Sequence, residues 1–330
     1  MKLTDFQTRI GSFVLMLVVL LAGCDGKEPT TTDGKQMPVK SRFVIVCTTT
    51  INHEIALLLA DDLVHPIVDI RSLCQLGDDP HDYIVRPGDL QSLREADVIL
   101  MNGLGLEATL EPLIAEHAKD ATIIRLGEAT GVTHLPGADG KPDPHVWMSP
   151  ANYEAMVRRA GEGLARLIVK HAPVIQLRSE DYRAQVADLH GWVLNKAREL
   201  PTDRRVVLVS DGGLNYLGQL LGVRIVHHKV DPAALATEAD RDALFAAVDR
   251  EKVNAVFIDR GESSVWHDVV ADLSGMRRVT VGPALRSHEL AEKEHVAGTY
   301  LGLIRADVES IVQVLSMEPA LKPVPAAGGS

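Results

Sequence analysis

Eight short apolar runs, rich in Val and Ile, set the limits on how this chain can fold. Four lie at Phe43–Val46, Ile67–Ile70, Asp97–Leu100 and Thr122–Arg125, and four more at Arg205–Val209, Arg224–Val226, Ala255–Ile258 and Arg278–Val281. Each has the length of a strand covered on both faces, and stretches with helical patterning separate them. That alternation predicts parallel strands, because parallel neighbours need a long crossover between them. The expected fold is therefore α/β, with two lobes over residues 43–172 and 201–317, each a mainly parallel sheet flanked by helices. Between the groups, apolar residues recur at Val186, Leu189, Trp192, Val193 and Leu194 in a stretch bounded by Pro173 and Pro201. This predicts one long, rigid helix over 173–200 that joins the lobes. Thr237-Glu238-Ala239-Asp240 has the form of a capping box opening a further helix, with Asp in the usual Glu or Gln position.

The N-terminus carries a different signal. Lys2 and Arg9 precede the apolar run Phe13–Leu21, which is too short to span a bilayer and has the charged flank of a secretory signal. The run closes on Leu21-Ala22-Gly23-Cys24, which resembles the bacterial lipobox. Residues 1–23 are then a lipoprotein signal peptide. Acyl chains on Cys24 supply attachment to the bilayer on the periplasmic side or cell surface. Residues 24–42 are poor in apolar side chains and read as a flexible tether, and residues 318–330, rich in Pro, Ala and Gly, as a disordered tail. A net charge of −11 argues against nucleic acid as a partner. Cys47 and Cys74 are too few for a disulfide scaffold and read as inert core residues.

The candidate site begins with a repeated tripeptide. Asp-Pro-His occurs at Asp79-Pro80-His81 and at Asp143-Pro144-His145, each where a strand-like run gives way to a loop. Proline fixes its own φ and holds the preceding Asp extended, so each His stands on a stiffened backbone. Either copy alone fits a polar loop histidine, whereas two such imidazoles supply half of a four-coordinate metal site. Binding loops in parallel α/β sheets lie at the carboxyl ends of strands. There the second group presents Asp211, directly after Val209-Ser210 and before Gly212-Gly213, and His288, shortly after Val281-Gly282-Pro283. Two ligands would thus come from each lobe. His227 and His228 share a strand-like run and read as core or solvated residues, with Asp231 and Glu238 as reserve ligands.

Over residues 42–315 the chain resembles the solute-binding lipoproteins of bacterial ABC importers for zinc and manganese. The resemblance is carried by Gly77-Asp78-Asp79-Pro80-His81-Asp82-Tyr83, by Ala96 to Glu107 through Asn102-Gly103-Leu104-Gly105, by Asp143-Pro144-His145-Val146-Trp147, and by Thr299-Tyr300 with the helix that follows. It implies a two-lobed clamshell with a rigid connecting helix, four metal ligands where the lobes meet, no enzymatic activity, and delivery of the ion by a monomer to an ABC-type permease. His81 and His145 fall on the family's first-lobe histidines. Asp211 falls where zinc members usually have His and manganese members often Glu, and His288 falls where the family usually has Asp. The two departures are complementary and leave three histidines and one carboxylate. That set favours Zn²⁺ slightly over Mn²⁺, which prefers more oxygen. The region Gly127 to Pro142 lacks the His- and acid-rich insert frequent in zinc members, which weighs the other way. Because imidazoles bind metal only when neutral, acidification should weaken binding. Two alternatives keep other ligands or chemistry in view: the same fold binding chelated iron or a corrinoid, and a zinc hydrolase with Asp82, Asp211 or Glu289 as base, for which no His-Glu-x-x-His run exists. A surface adhesin is a third.

Overall fold

The structure is a computed structural model that describes residues 41–64, 66–137, 140–210, 212–227, 238–260, 266, 268–270, 272 and 279–317. Strands β1 (Arg42–Cys47), β2 (Ile67–Ser72), β3 (Val98–Met101) and β4 (Thr122–Arg125) form one sheet in the order β2-β1-β3-β4. β5 (Val206–Val209), β6 (Arg224–His227), β7 (Ala255–Phe257) and β8 (Thr280–Val281) form a second in the order β6-β5-β7-β8. Every pairing among these strands is parallel, so the two four-strand groups fold as two α/β sheets of the same topology. In both, the first strand lies centrally and the chain leaves it in opposite directions, which opens a crevice at the carboxyl ends.

The unbroken apolar runs follow from burial on both faces. Along β1, Ile45 and Cys47 enter one core while Val44 and Val46 enter another. In the second sheet Val207, Val209, Ala255 and Phe257 face the first of these cores, and Leu208 and Val256 face a third. The core shared by the inner faces is continuous from Ile45 and Leu100 through Val186 and Leu189 to Val209 and Phe257.

Helices α1 (Thr50–Ala60), α2 (Pro87–Glu95), α3 (Glu111–His117) and α4 (Pro150–Leu167) pack with the first sheet, and α6 (Asn215–Leu221) and α7 (Glu238–Glu251) accompany the second. The long helix expected between them is α5 (Ala172–Glu199), 28 residues, which buries Ile175, Ser179, Tyr182, Val186, Leu189 and Val193. Those positions recur every three or four residues and form a stripe facing α1, α4, α6 and the last helix, α8 (Tyr300–Ser316). Leu194, read as part of that apolar face, is instead 38% exposed, because it lies on the flank of the stripe. Thr49, Ser149 and Thr299 cap α1, α4 and α8 through their hydroxyl oxygens, which accept from the backbone N–H three residues on.

The expected signal peptide, Cys24, nearly all of the expected tether, the expected tail and Thr237 of the expected capping box lie outside the described residues. Among the described residues no helix is long and apolar enough to cross a membrane.

Candidate metal centre

Both Asp-Pro-His segments are locked by the same local device. Asp79 Oδ1 accepts from the His81 backbone N–H at 2.8 Å, and Asp143 Oδ1 accepts from that of His145 at 3.0 Å. Each carboxylate thus closes an Asx-type turn over the intervening proline, so the backbone entering the histidine is held at two points. Asp143 Oδ1 also accepts from the His145 Nδ1–H at 2.7 Å. Burial pushes the Asp143 carboxyl up, but its interactions with His145, joined by the amide of Asn215, outweigh it and hold the group below the usual carboxylate range. Asp143 therefore stays ionised and keeps His145 in the tautomer whose Nε2 lone pair is free.

His288 is held in a similar way by different atoms. Ser287 Oγ donates to Asp259 Oδ2 and lies 2.9 Å from His288 Nδ1, so the hydroxyl accepts from the imidazole. Asp259 Oδ2 also accepts from the Ser287 backbone N–H at 3.1 Å. A parallel bridge between Asp259 and Leu285 extends β7 and brings the His288 loop over its tip.

The result is three imidazoles around one point. His145 Nε2 lies 3.0 Å from His81 Nε2 and 3.0 Å from His288 Nε2, and one nitrogen of each of the three residues lies within 4.8 Å of the others. His145 is buried, whereas His81 and His288 are partly exposed. With their Nδ1 atoms beside Asp143 Oδ1 and Ser287 Oγ, His145 and His288 turn their Nε2 atoms toward each other. Ligand nitrogens of a tetrahedral zinc site, at about 2.0–2.1 Å from the metal, stand at a comparable spacing. Among the described residues no other group of three such side chains converges.

More buried polar groups support this arrangement. Glu107 accepts from Thr48 Oγ1 at 2.7 Å, from the Asn102 N–H at 2.6 Å and from the Gly103 N–H at 2.9 Å. Asn102 Nδ2 in turn donates to the Pro144 carbonyl at 3.0 Å, one residue before His145. Trp147 Nε1 donates to the Ser287 carbonyl at 2.9 Å, joining the loops of His145 and His288.

Of the expected ligands, His81, His145 and His288 come together, and Asp211 lies outside the described residues. His228 and Asp231 also lie outside them. His227 ends β6 exposed, and Glu238 opens α7. The carboxylate of Glu289, weighed as a catalytic base, faces elsewhere: it accepts from the Gly77 N–H and from Arg286 Nη1. Sequence reading missed Asp143, Ser287 and Asp259 as orienting groups. The position of Asp259 just beyond the apolar run Ala255–Ile258 was the available signal.

A family model, ZnuA (zinc-uptake complex component A, periplasmic), matches residues 45–314. The zinc-binding protein TroA of Treponema pallidum is 27% identical over 322 residues, covering 94% of this chain and 99% of its own. The manganese-binding lipoprotein MntA of Halalkalibacterium halodurans is 24% identical over 318 residues, covering 92% and 98%. The solved structure of the Treponema pallidum periplasmic zinc-binding protein TroA superposes with a TM-score of 0.74 at 24% identity, covering 84% of this chain and 100% of that one. That superposition establishes the two-lobed fold with its long connecting helix. With the match spanning both sheets and all three histidine loops, the chain belongs to the zinc-uptake complex component A family, the metal-binding solute-binding proteins of ABC importers, and is not an enzyme.

Proposed function

We propose that this protein captures one divalent transition-metal ion on His81, His145, His288 and Asp211, with Zn²⁺ preferred over Mn²⁺, and yields it to its permease. It does so as a monomer tethered to the bilayer through acyl chains on Cys24, outside the cytoplasm, with residues 43–172 and 201–317 as the two metal-binding lobes. The observation that carries the reading is the 3.0 Å approach of the His145 and His288 Nε2 atoms while each Nδ1 is occupied as a donor. The preference for zinc rests on the chemistry of the donors, since three imidazoles and one carboxylate suit a tetrahedral borderline-soft ion better than Mn²⁺. The relatives divide between the two metals, as the names zinc-binding TroA and manganese-binding MntA state.

The test is metal content by mass spectrometry on detergent-solubilised full chain, stripped and dialysed against equimolar Zn²⁺ and Mn²⁺. One zinc ion per chain, lost in His81→Ala, His145→Ala, His288→Ala and Asp211→Ala, is the expected result. Manganese under the same competition would reverse the metal assignment. No retained ion, or retention indifferent to all four substitutions, would overturn the site and turn attention to a chelated metal or to adhesion.

A further inference from the structure

We infer that Glu289 is a positioning residue for the metal centre, a buried carboxylate that ties the loop carrying His81 to the loop carrying His288. The inference rests on the proposed metal site and concerns a residue that does not itself face the ion: the converging cluster contains the three histidines and no carboxylate of Glu289. Glu289 is only 8% exposed although it adjoins a ligand in a loop. One of its oxygens accepts from the Gly77 backbone N–H, 212 positions away, and the other accepts from Arg286 Nη1 at 3.1 Å.

Both ends of this tie are firmly seated. Arg286 is buried, and its backbone N–H points at the Asp307 carboxylate of α8, 3.3 and 3.4 Å from the two oxygens. Gly77 has a φ of +86°, a left-handed conformation that a side chain would strain although the space beside it is open. From Gly77 the chain runs to Asp78, gripped by Arg86 Nη2 at 2.6 and 2.8 Å, then to Asp79, which caps His81. A displacement of Gly77 is therefore passed to His81 through a short, constrained path, while Glu289 is bonded covalently to His288.

Two neighbouring contacts act in the same direction. The Ser287 carbonyl accepts from Trp147 Nε1, and the Leu290 N–H donates to Thr50 Oγ1 at 3.0 Å. Segment 286–290 follows the second sheet in sequence, yet Thr50, Gly77 and Trp147, all from the first half of the chain, hold it. The three histidines are thus kept as one preassembled set, and Glu289 links the loops of the two partly exposed members. The buried Glu289 carboxylate accepting the Gly77 N–H forms a charge-assisted bond, stronger than one to a neutral acceptor, so its removal should loosen the ligand spacing and hasten release.

The experiment is the rate of Zn²⁺ release to an excess of chromophoric chelator, followed by stopped flow on full chain in detergent. Parent, Glu289→Ala, Glu289→Gln, His288→Ala and the double variant His288→Ala with Glu289→Ala are compared, with thermal unfolding as the check on fold. Glu289→Ala should release zinc about 10- to 100-fold faster than the parent. Glu289→Gln, which keeps a neutral acceptor for Gly77, should release it about fivefold faster. In the His288→Ala background the loss of Glu289 should change nothing further, because no second ligand loop remains to be held against His81. Parent-like rates in both Glu289 variants would overturn the inference, as would an equal acceleration with and without His288, the mark of a general structural role. If Glu289→Ala does not fold, the Glu289→Gln rate decides alone. A parent chain that holds neither zinc nor manganese would overturn the metal site itself and the inference with it.

Discussion

Asn215 Nδ2, in the first turn of α6, donates to Asp143 Oδ2 at 2.9 Å, so a residue of the second half of the chain grips the carboxylate that orients His145. Its neighbour Tyr216 donates through its hydroxyl to the Asp143 carbonyl at 2.8 Å and accepts from the Leu135 N–H at 3.0 Å. The loop bearing His145 is thereby fastened to α6, four residues beyond Asp211.

This arrangement predicts a hierarchy of effects. Asp143→Ala removes the acceptor of the His145 Nδ1–H and should weaken Zn²⁺ binding about 10- to 100-fold. Asn215→Ala removes only one support of that acceptor and should cost about two- to fivefold, the range of a single modest hydrogen bond. The double variant should match Asp143→Ala alone, since Asn215 acts through Asp143. Chelator competition titrations check this, and strictly additive losses would refute the shared path.

Glu54 predicts a pH dependence of stability away from the metal centre. It is buried where α1, α4, α5 and α8 meet and accepts from the Tyr300 N–H at 2.9 and 3.0 Å, from the Tyr153 hydroxyl at 3.1 Å and from the Tyr182 hydroxyl at 3.5 Å. Burial raises its pKa to about 7 against an ordinary 4.5, with these hydrogen bonds pulling part of the way back, and burial keeps the three phenols above their ordinary range. The folded state then binds more protons than the unfolded state between those two values. The group's stabilising effect is complete below the lower one and fades as pH rises through the higher. Glu54→Gln should remove this slope and add on the order of 2 kcal/mol at pH 8. Denaturant midpoints at pH 5 and pH 8 measure it, and an unchanged slope in the variant would count against Glu54 as the source.

Cys47 and Cys74 are free and buried, and burial raises both thiol pKa values far above the usual range. Nearby Asp78, Glu107 and Asp79 push Cys74 up further, against Arg86. The thiolate is the reactive form, so neither residue should take up iodoacetamide in native protein at pH 8, and both should do so in denaturant. Peptide mass mapping after labelling checks this. A peptide joining the two through a disulfide, or native labelling, would be the contrary result.

Much of this was legible in the residues because the signals are local. A run such as Val98-Ile99-Leu100 carries no polar position, so it has to be covered on both faces, and the structure puts Val98 and Leu100 in one core and Ile99 in another. His81 and His145 were readable because their restraint is contained in a tripeptide. His288 was readable because Gly282-Pro283 closes the last strand before it. The orienting atoms were not readable in the same way. Asp143 looked like part of a backbone motif, and only its side chain's distance to His145 Nδ1 makes it the keeper of a tautomer. The link to His288 depends on a bond between Asp259 and Ser287, residues 28 positions apart across a strand tip, and no periodicity marks it.

The sequence by itself determined the two parallel sheets, the long helix between them and the identity of the candidate ligands. Hydrophobic period, proline and glycine act over a few residues and need no knowledge of what lies opposite. Only the tertiary structure decided that His81, His145 and His288 converge, which imidazole nitrogens face inward, and that Glu289 reaches Gly77. Those outcomes depend on where two separately formed sheets bring their loops, and a hydrogen bond between residues 212 positions apart leaves no trace in either local stretch of chain.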